Sequence, residues 1–238
     1  MQETTLELLN TLNRDFYDTF AQAFADSRAP SEPGLTRYLA EAMPGARVLD
    51  LGCGMGRIAL LLPQGCVYTG VDFSEALLTT ARERATEAGV VATFIAADLT
   101  APDWASSTAP PYDWIILRAV LHHIPGYAQR LRIVQEATTL LAPGGSLLLA
   151  NWQFLSIARL RRRLQPWSEI GLTEADVEPG DYLLDWQREG RGLRYVHLVD
   201  ESETRRLADA AGLTIAAMTL ADGHENKLTL YALLRETG

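Results

Sequence analysis

Three glycines at alternate positions, Gly52, Gly54 and Gly56, follow the apolar run Val48-Leu49-Asp50-Leu51. Glycines so spaced let the backbone turn tightly and approach a ligand with no Cβ in the way. The next apolar run, Tyr68-Thr69-Gly70-Val71, ends on Asp72, where a carboxylate can accept both hydroxyls of a ribose. A third acid, Asp98, ends Ile95-Ala96-Ala97. A glycine turn with acids at successive strand ends is the chemistry of a nucleoside-type ligand lying across a sheet edge. Dinucleotide dehydrogenases space these glycines differently, with two residues before the last, and this chain is short for one with two domains. The run Arg159-Leu160-Arg161-Arg162-Arg163 carries no acid and could grip a nucleic-acid backbone, or it could be a solvated helix face.

The elements that must hold these residues alternate. Leu9, Leu12, Phe16, Phe20 and Phe24 recur every three or four residues, so residues 1–29 read as a helix broken by Pro30 and Pro33. A second short helix is expected at 34–43. Arg47–Leu51, Val67–Val71, Val91–Ala96, Tyr112–Leu117 and Ser146–Ala150 lack polar alternation, as strands covered on both faces do. Helices are expected between them at 57–62, at 75–88 behind a Ser74 cap, and at 127–141. Strand alternating with helix means an α/β sheet. Residues 152–197 break the rhythm and are too long for a simple connection. Asp200-x-x-Glu203 resembles a capping box, and 213–220 with 227–234 can close as an antiparallel hairpin.

The chain has 238 residues and a net charge of −9, with 47% hydrophobic and 21% charged residues, a globular composition. The acidity argues against loose whole-surface nucleic-acid binding, though not against a local basic patch. All but Lys227 of its 21 basic residues are Arg, which GC-rich codon usage or bidentate anion binding would each produce. No apolar run approaches the roughly 20 residues of a membrane span, the first ten residues lack the order of a signal peptide, and two cysteines make neither a disulfide scaffold nor a four-cysteine zinc site. No metal site and no membrane partner are expected, and a cytoplasmic protein is.

These motifs resemble the class I S-adenosylmethionine-dependent methyltransferases. The glycine loop with Asp50, the acids Asp72 and Asp98, and Pro143-Gly144-Gly145 before the fifth strand match that family's landmarks in order over residues 45–151. The resemblance implies a Rossmann-like, seven-stranded, mostly parallel sheet with an antiparallel last strand, an N-terminal helical cap and an insertion after strand 5. The implied divisions of this single domain are a cap at 1–44, a cofactor-binding core at 45–151, a substrate-side insertion at 152–199, and a helix and hairpin at 200–238. The cofactor would be S-adenosylmethionine. Its implied contacts are Asp50, Gly52, Cys53, Gly54, Gly56, Asp72, Phe73, Asp98, Leu99 and Arg118, with Tyr17 and Arg28 from the helical cap folding over it as a lid.

The end of the fourth strand would face the methyl group. There the sequence reads Leu117-Arg118-Ala119-Val120-Leu121-His122-His123-Ile124, without the Asn/Asp-Pro-Pro box of amino-group methyltransferases. No cysteine sits where pyrimidine-carbon methylation needs one. A wider similarity, to the wobble-uridine tRNA methyltransferases that esterify carboxymethyluridine, lies in residues 16–28, in His122-His123 with Arg130, in Gly180–Trp186 and in Arg194–Leu198. A carboxylate acceptor is already ionised and needs only a positioning group, for which Arg118, Arg130, His122 or His123 would serve. A hydroxyl or amine acceptor would instead lose its proton to a histidine, whose unperturbed pKa is about 6.5. Trp186, Tyr195 and His197 could stack on a base, with Arg161 on the RNA backbone, or they could be core. The expected activity is methyl transfer to an oxygen, carboxylate or hydroxyl, on a tRNA or a small molecule, with a small activating subunit in the tRNA case. The alternatives are a small-molecule O- or N-methyltransferase and a non-catalytic cofactor-binding subunit with a blocked cleft.

Overall fold

A computed structural model describes residues 1–26, 32–188 and 190–236; Arg28 lies outside the described residues. In chain order the first elements are helices α1 (Glu3–Asp26) and α2 (Pro33–Leu39) and strand β1 (Arg47–Leu51). Then come β2 (Val67–Asp72), α3 (Glu75–Glu87), β3 (Ala92–Ala96), β4 (Tyr112–Arg118), α4 (Tyr127–Thr139) and β5 (Leu141–Trp152). The insertion holds α5 (Ala158–Arg161), β6 (Leu164–Gln165), β7 (Asp181–Trp186) and β8 (Gly192–His197). The chain closes with α6 (Glu201–Ala210), β9 (Leu213–Ala221) and β10 (Thr229–Glu236).

The main sheet has seven strands in the order β3-β2-β1-β4-β5-β10-β9, with only β10 running against its neighbours. Its order reverses direction beside β1, so β1 and β4 open a crevice at their C-terminal ends, where α/β sheets bind ligands. The continuous apolar runs follow from burial on both faces. Leu49, Leu51, Ile115 and Leu117 pack toward α4 and α6, while their alternates Val48 and Ile116 pack toward α2. Ser74 caps α3 as expected, its Oγ accepting the Leu77 N–H. The helix expected at 57–62 shrinks to a single 3-10 turn at Ile58–Leu60, because Pro63 has no N–H with which to continue it.

The insertion is not irregular. It folds as a separate antiparallel sheet, β6-β7-β8, and α1 lies across it. Leu9 is buried with Trp167, Leu183 and Tyr195, and Phe16 with Trp186. The helical cap and the insertion are therefore one packed layer. Among the described residues no helix is long and apolar enough to cross a membrane.

Candidate active site

A cavity of about 210 Å³ opens over the ends of β1, β2 and β4. The core contributes Asp50, Gly52, Asp72, Asp98, Arg118 and His123 to its walls, and α1 contributes Asn13, Arg14 and Tyr17.

The glycine loop is held by the strand next to it. The Gly52 and Cys53 N–H groups both donate to the Val71 carbonyl, at 2.7 and 3.0 Å. Gly52 has φ +73°, and a Cβ there would lie 2.4 Å from Val120 Cγ2. Gly54, at φ +53°, lines the cavity, and a Cβ there would meet nothing within 4 Å. Gly56 is different: its Cβ would press on Phe94 and Ala81 at 3.0 and 3.1 Å. It lets α3 and β3 approach, and the cavity's walls do not include it.

Each acid at a strand end has a distinct environment. Asp72 is 7% exposed and accepts the Gly54 and Ser74 N–H groups at 2.8 and 3.0 Å. Burial still raises its pKa against those bonds. Asp50 accepts the Tyr68 hydroxyl at 2.6 Å. Burial pushes its carboxyl up to about 7, with Tyr68 and Arg118 pulling the other way. Asp98 accepts Thr100 on one oxygen and Arg14 on the other, the latter at 2.6 Å. Phe73, Leu99 and Cys53 complete this side, and burial pushes the Cys53 thiol far up, keeping it neutral. Three carboxylates around a glycine turn that leaves open space beside Gly54 fit an adenosyl group with its hydroxyl and amino donors.

The acceptor side divides the expected residues. Arg118 lines the cavity, but both branches of its guanidinium donate to Glu32, Nε at 2.5 Å. His123 lines the cavity, its Nε2 is 2.7 Å from the Tyr17 hydroxyl, and its Nδ1 faces the Tyr195 carbonyl at 3.4 Å. His122 is fully buried, its ring 4.2 Å from that of His123, and it does not reach the cavity. Arg130 does not reach it either. Its guanidinium bonds Glu203 (2.6 Å), Glu178 (3.1 Å) and the Ile124 carbonyl (2.9 Å), so it is a buried tie rather than a cation for the acceptor.

The residues expected to stack on a base are core. Trp186 is 5% exposed, Tyr195 0% and His197 2%. They form the inner face of β7 and β8, and Tyr195 and His197 both hydrogen-bond Asp181 at 2.6 Å. Stacking on a base is excluded for all three. Asp200 does cap α6, accepting the Glu203 N–H, but the Glu203 carboxylate turns inward to His197 and Arg130 instead of closing the box. Three arginines of the insertion have different surroundings. Arg161 is exposed on α5 and donates to the Leu155 carbonyl. Arg191 pairs with Glu169 and Asp185, and Arg194 is buried among aromatic rings.

Asn13, Arg14, Glu32 and Arg194 were not picked out as site residues by sequence reasoning. Asn10, Asn13, Arg14 and Tyr17 stand at i, i+3, i+4 and i+7, a polar stripe beside the apolar one on α1, and that spacing was the available signal.

The family model described as "Methyltransferase domain" matches residues 48–145. The chain is 30% identical to the probable tRNA methyltransferase 9B of Bos taurus, over 70% of this chain and 35% of that protein. It is 33% identical to the ubiquinone biosynthesis O-methyltransferase of Vibrio vulnificus, over 47% of this chain and 46% of that one. The chain thus spans about a third to a half of the length of these relatives. The crystal structure of magnesium protoporphyrin IX methyltransferase from Synechocystis with bound S-adenosylhomocysteine shares the fold, at 18% identity and TM-score 0.65 over 96% of this chain and 99% of that one. Residues 48–145 thus match a methyltransferase domain, and the chain around them shares the fold of a methyltransferase of known structure.

Proposed function

We propose that the chain transfers a methyl group from S-adenosylmethionine to an oxygen of a small acceptor held between α1 and the turn after β4. The observation that carries this reading is the cavity itself. One wall has the glycine loop and three acids, and the opposite wall has Tyr17, His123 and Arg118. The bound cofactor supplies a sulfonium methyl open to in-line displacement. Asp72 accepts from the ribose hydroxyls, Asp98 and the Leu99 backbone hold the adenine edge, and Gly52 to Gly54 leave room for the rest. Asp50 steadies the loop from beneath. The protein's main task is then alignment, since bringing acceptor and donor into line removes much of the barrier.

The α1 roof, the pairing of Arg191 and the burial of Arg194 favour a small molecule over RNA. The open cavity also speaks against a non-catalytic subunit, for which a blocked cleft is expected. Labelled methyl transfer, run in parallel on a metabolite extract and on bulk tRNA, tests the reading: label is expected in the small-molecule fraction, and label in tRNA alone would reject it.

A second reading, a tRNA acceptor, has its own support in the similarity to tRNA methyltransferase 9B and in the exposed Arg159, Arg161 and Arg162 around α5. It brings with it a small activating subunit. Both readings place the protein in the cytoplasm.

A further inference from the structure

We propose that Tyr17 and His123 form the proton-accepting pair of this site, with Arg194 as their positioning residue, and that the acceptor is a hydroxyl rather than a carboxylate. The inference rests on the methyl-transfer reading above and names its substrate class. A carbonyl only accepts hydrogen bonds, so the Tyr195 carbonyl facing His123 Nδ1 puts the ring proton on Nδ1 and leaves Nε2 bare. The Tyr17 hydroxyl, 2.7 Å away, therefore donates to Nε2. The Arg194 guanidinium interacts electrostatically with the Tyr17 hydroxyl. That guanidinium is 4% exposed and lies 5.2 to 5.7 Å from the ring centres of Phe16, Trp152 and Trp186. The aromatic rings around it hold that guanidinium beside the Tyr17 hydroxyl.

The backbone around the pair is fixed by one side chain. Asn13 donates to the His123 and Tyr195 carbonyls at 2.9 and 3.2 Å, and accepts the Tyr195 N–H at 2.8 Å. Three elements distant in sequence are thereby locked around a proton path that opens on the cavity.

A carboxylate acceptor has no proton to give. It would call instead on an arginine of the cavity, where Arg118 and Arg57 both lie on Glu32 and Arg14 is paired with Asp98. A hydroxyl has a proton to lose, and the pair supplies its destination. As the acceptor oxygen bonds the methyl carbon and the carbon–sulfur bond breaks, the hydroxyl proton passes to Tyr17 Oη and the Tyr17 proton to His123 Nε2. The products are a methyl ether, S-adenosylhomocysteine and an imidazolium that releases its proton to water.

Imidazole-nitrogen NMR on the full chain with S-adenosylhomocysteine tests the geometry without turnover. The His123 Nε2 resonance should be that of an unprotonated nitrogen and should move in Tyr17→Phe. In Arg194→Met the Tyr17 Cζ resonance should move as well. A protonated Nε2, or resonances that stay put, would overturn the pair. Labelled transfer to catechol and to benzoate as probes then tests the acceptor class. Catechol should be methylated, and His123→Gln and Tyr17→Phe should each lose about 100-fold or more of that rate while S-adenosylhomocysteine affinity stays within about twofold. Methylation of benzoate alone or of neither probe, or full catechol rates in the variants, refutes the proposal. A wild-type chain that binds no S-adenosylhomocysteine refutes the methyltransferase reading instead.

Discussion

Replacing Arg130 with Met should unfold the protein more readily without touching the chemistry. The Arg130 side chain is 1% exposed and that of its partner Glu203 7%. Glu203 also binds His197 at 2.8 Å, and His197 binds Asp181 at 2.6 Å. Asp181 accepts the Glu178 N–H at 2.8 Å, and Glu178 returns to Arg130 at 3.1 Å. The loop of bonds is closed and joins α4, α6, β7 and β8. Burial opposes charge on all three central groups, but their opposite charges win. Glu203 is held below its ordinary pKa, and Arg130 and His197 are held above theirs. Removing the guanidinium takes from the buried Glu203 its closest cationic partner and leaves it His197 and Arg206, a loss of up to about 3–5 kcal/mol. For a chain of this size that is a fall in Tm of roughly 6–20 °C.

The double variant Arg130→Met with Glu203→Gln removes the stranded charge and should recover much of the loss, giving a coupling energy of about 1–3 kcal/mol. The pH of the melt matters. His197 lies above its ordinary 6.5, so its stabilisation is whole below 6.5 and is lost as pH rises through the raised value. Glu203 lies below its ordinary 4.5, so its contribution is whole above 4.5 and is lost as pH falls through the lowered value. The tie is strongest between these limits, and melts at about pH 5.5 should show the largest effect. A variant that melts within about 1 kcal/mol of wild type but loses methyl transfer would refute the argument and return Arg130 to the acceptor.

Three further perturbations bear on the cofactor side. Asp50→Asn removes a carboxyl that burial pushes to about 7 from 3.8, so its gain over wild type should grow as pH rises between those values, up to about 4 kcal/mol; paired melts giving a pH-independent difference would reject this. Asp72→Ala should weaken S-adenosylmethionine binding in calorimetry by roughly 10–150-fold, the worth of hydrogen bonds to a charged group, and unchanged affinity would sink the ribose assignment. Gly54→Ala should fold with a penalty of about 1–2 kcal/mol for its positive φ, yet bind the cofactor poorly because the new Cβ enters the cavity. Wild-type affinity in that variant would show that the cofactor lies elsewhere.

The main sheet was legible because strands covered on both faces must be apolar throughout, and the glycines and acids at their ends sit in short local patterns. The opposite wall was not, because it is assembled over long separations. Asn13 meets Tyr195 from 182 residues away, and Tyr17 meets His123 from 106. No local spacing encodes those meetings, though the polar stripe on α1 marked the face that makes them. The insertion misled in a different way. Asp181, Arg194, His197 and Glu203 look like surface residues by type, and all are buried. Asp181, His197 and Glu203 satisfy one another and Arg194 lies among aromatic rings, arrangements that hydropathy counts as solvation.

That burial also bears on the arginine bias. Arg130 uses Nε, Nη1 and Nη2 on separate partners, and Arg118 grips both oxygens of Glu32. A lysine ammonium is a single point and cannot span partners set in a planar fork. Codon usage can account for the exposed arginines of α5, where either cation would do. It cannot account for these two positions, where the geometry of the partners requires a guanidinium. The same reasoning separates the chain's cations by role. Arg130, which the sequence offered as a substrate ligand, is spent inside the protein, as is Arg194, and the arginines of the cavity wall arrive with partners, Arg118 and Arg57 on Glu32 and Arg14 on Asp98. A wall so neutralised is better suited to an acceptor without charge, which is the acceptor that the Tyr17–His123 pair can serve.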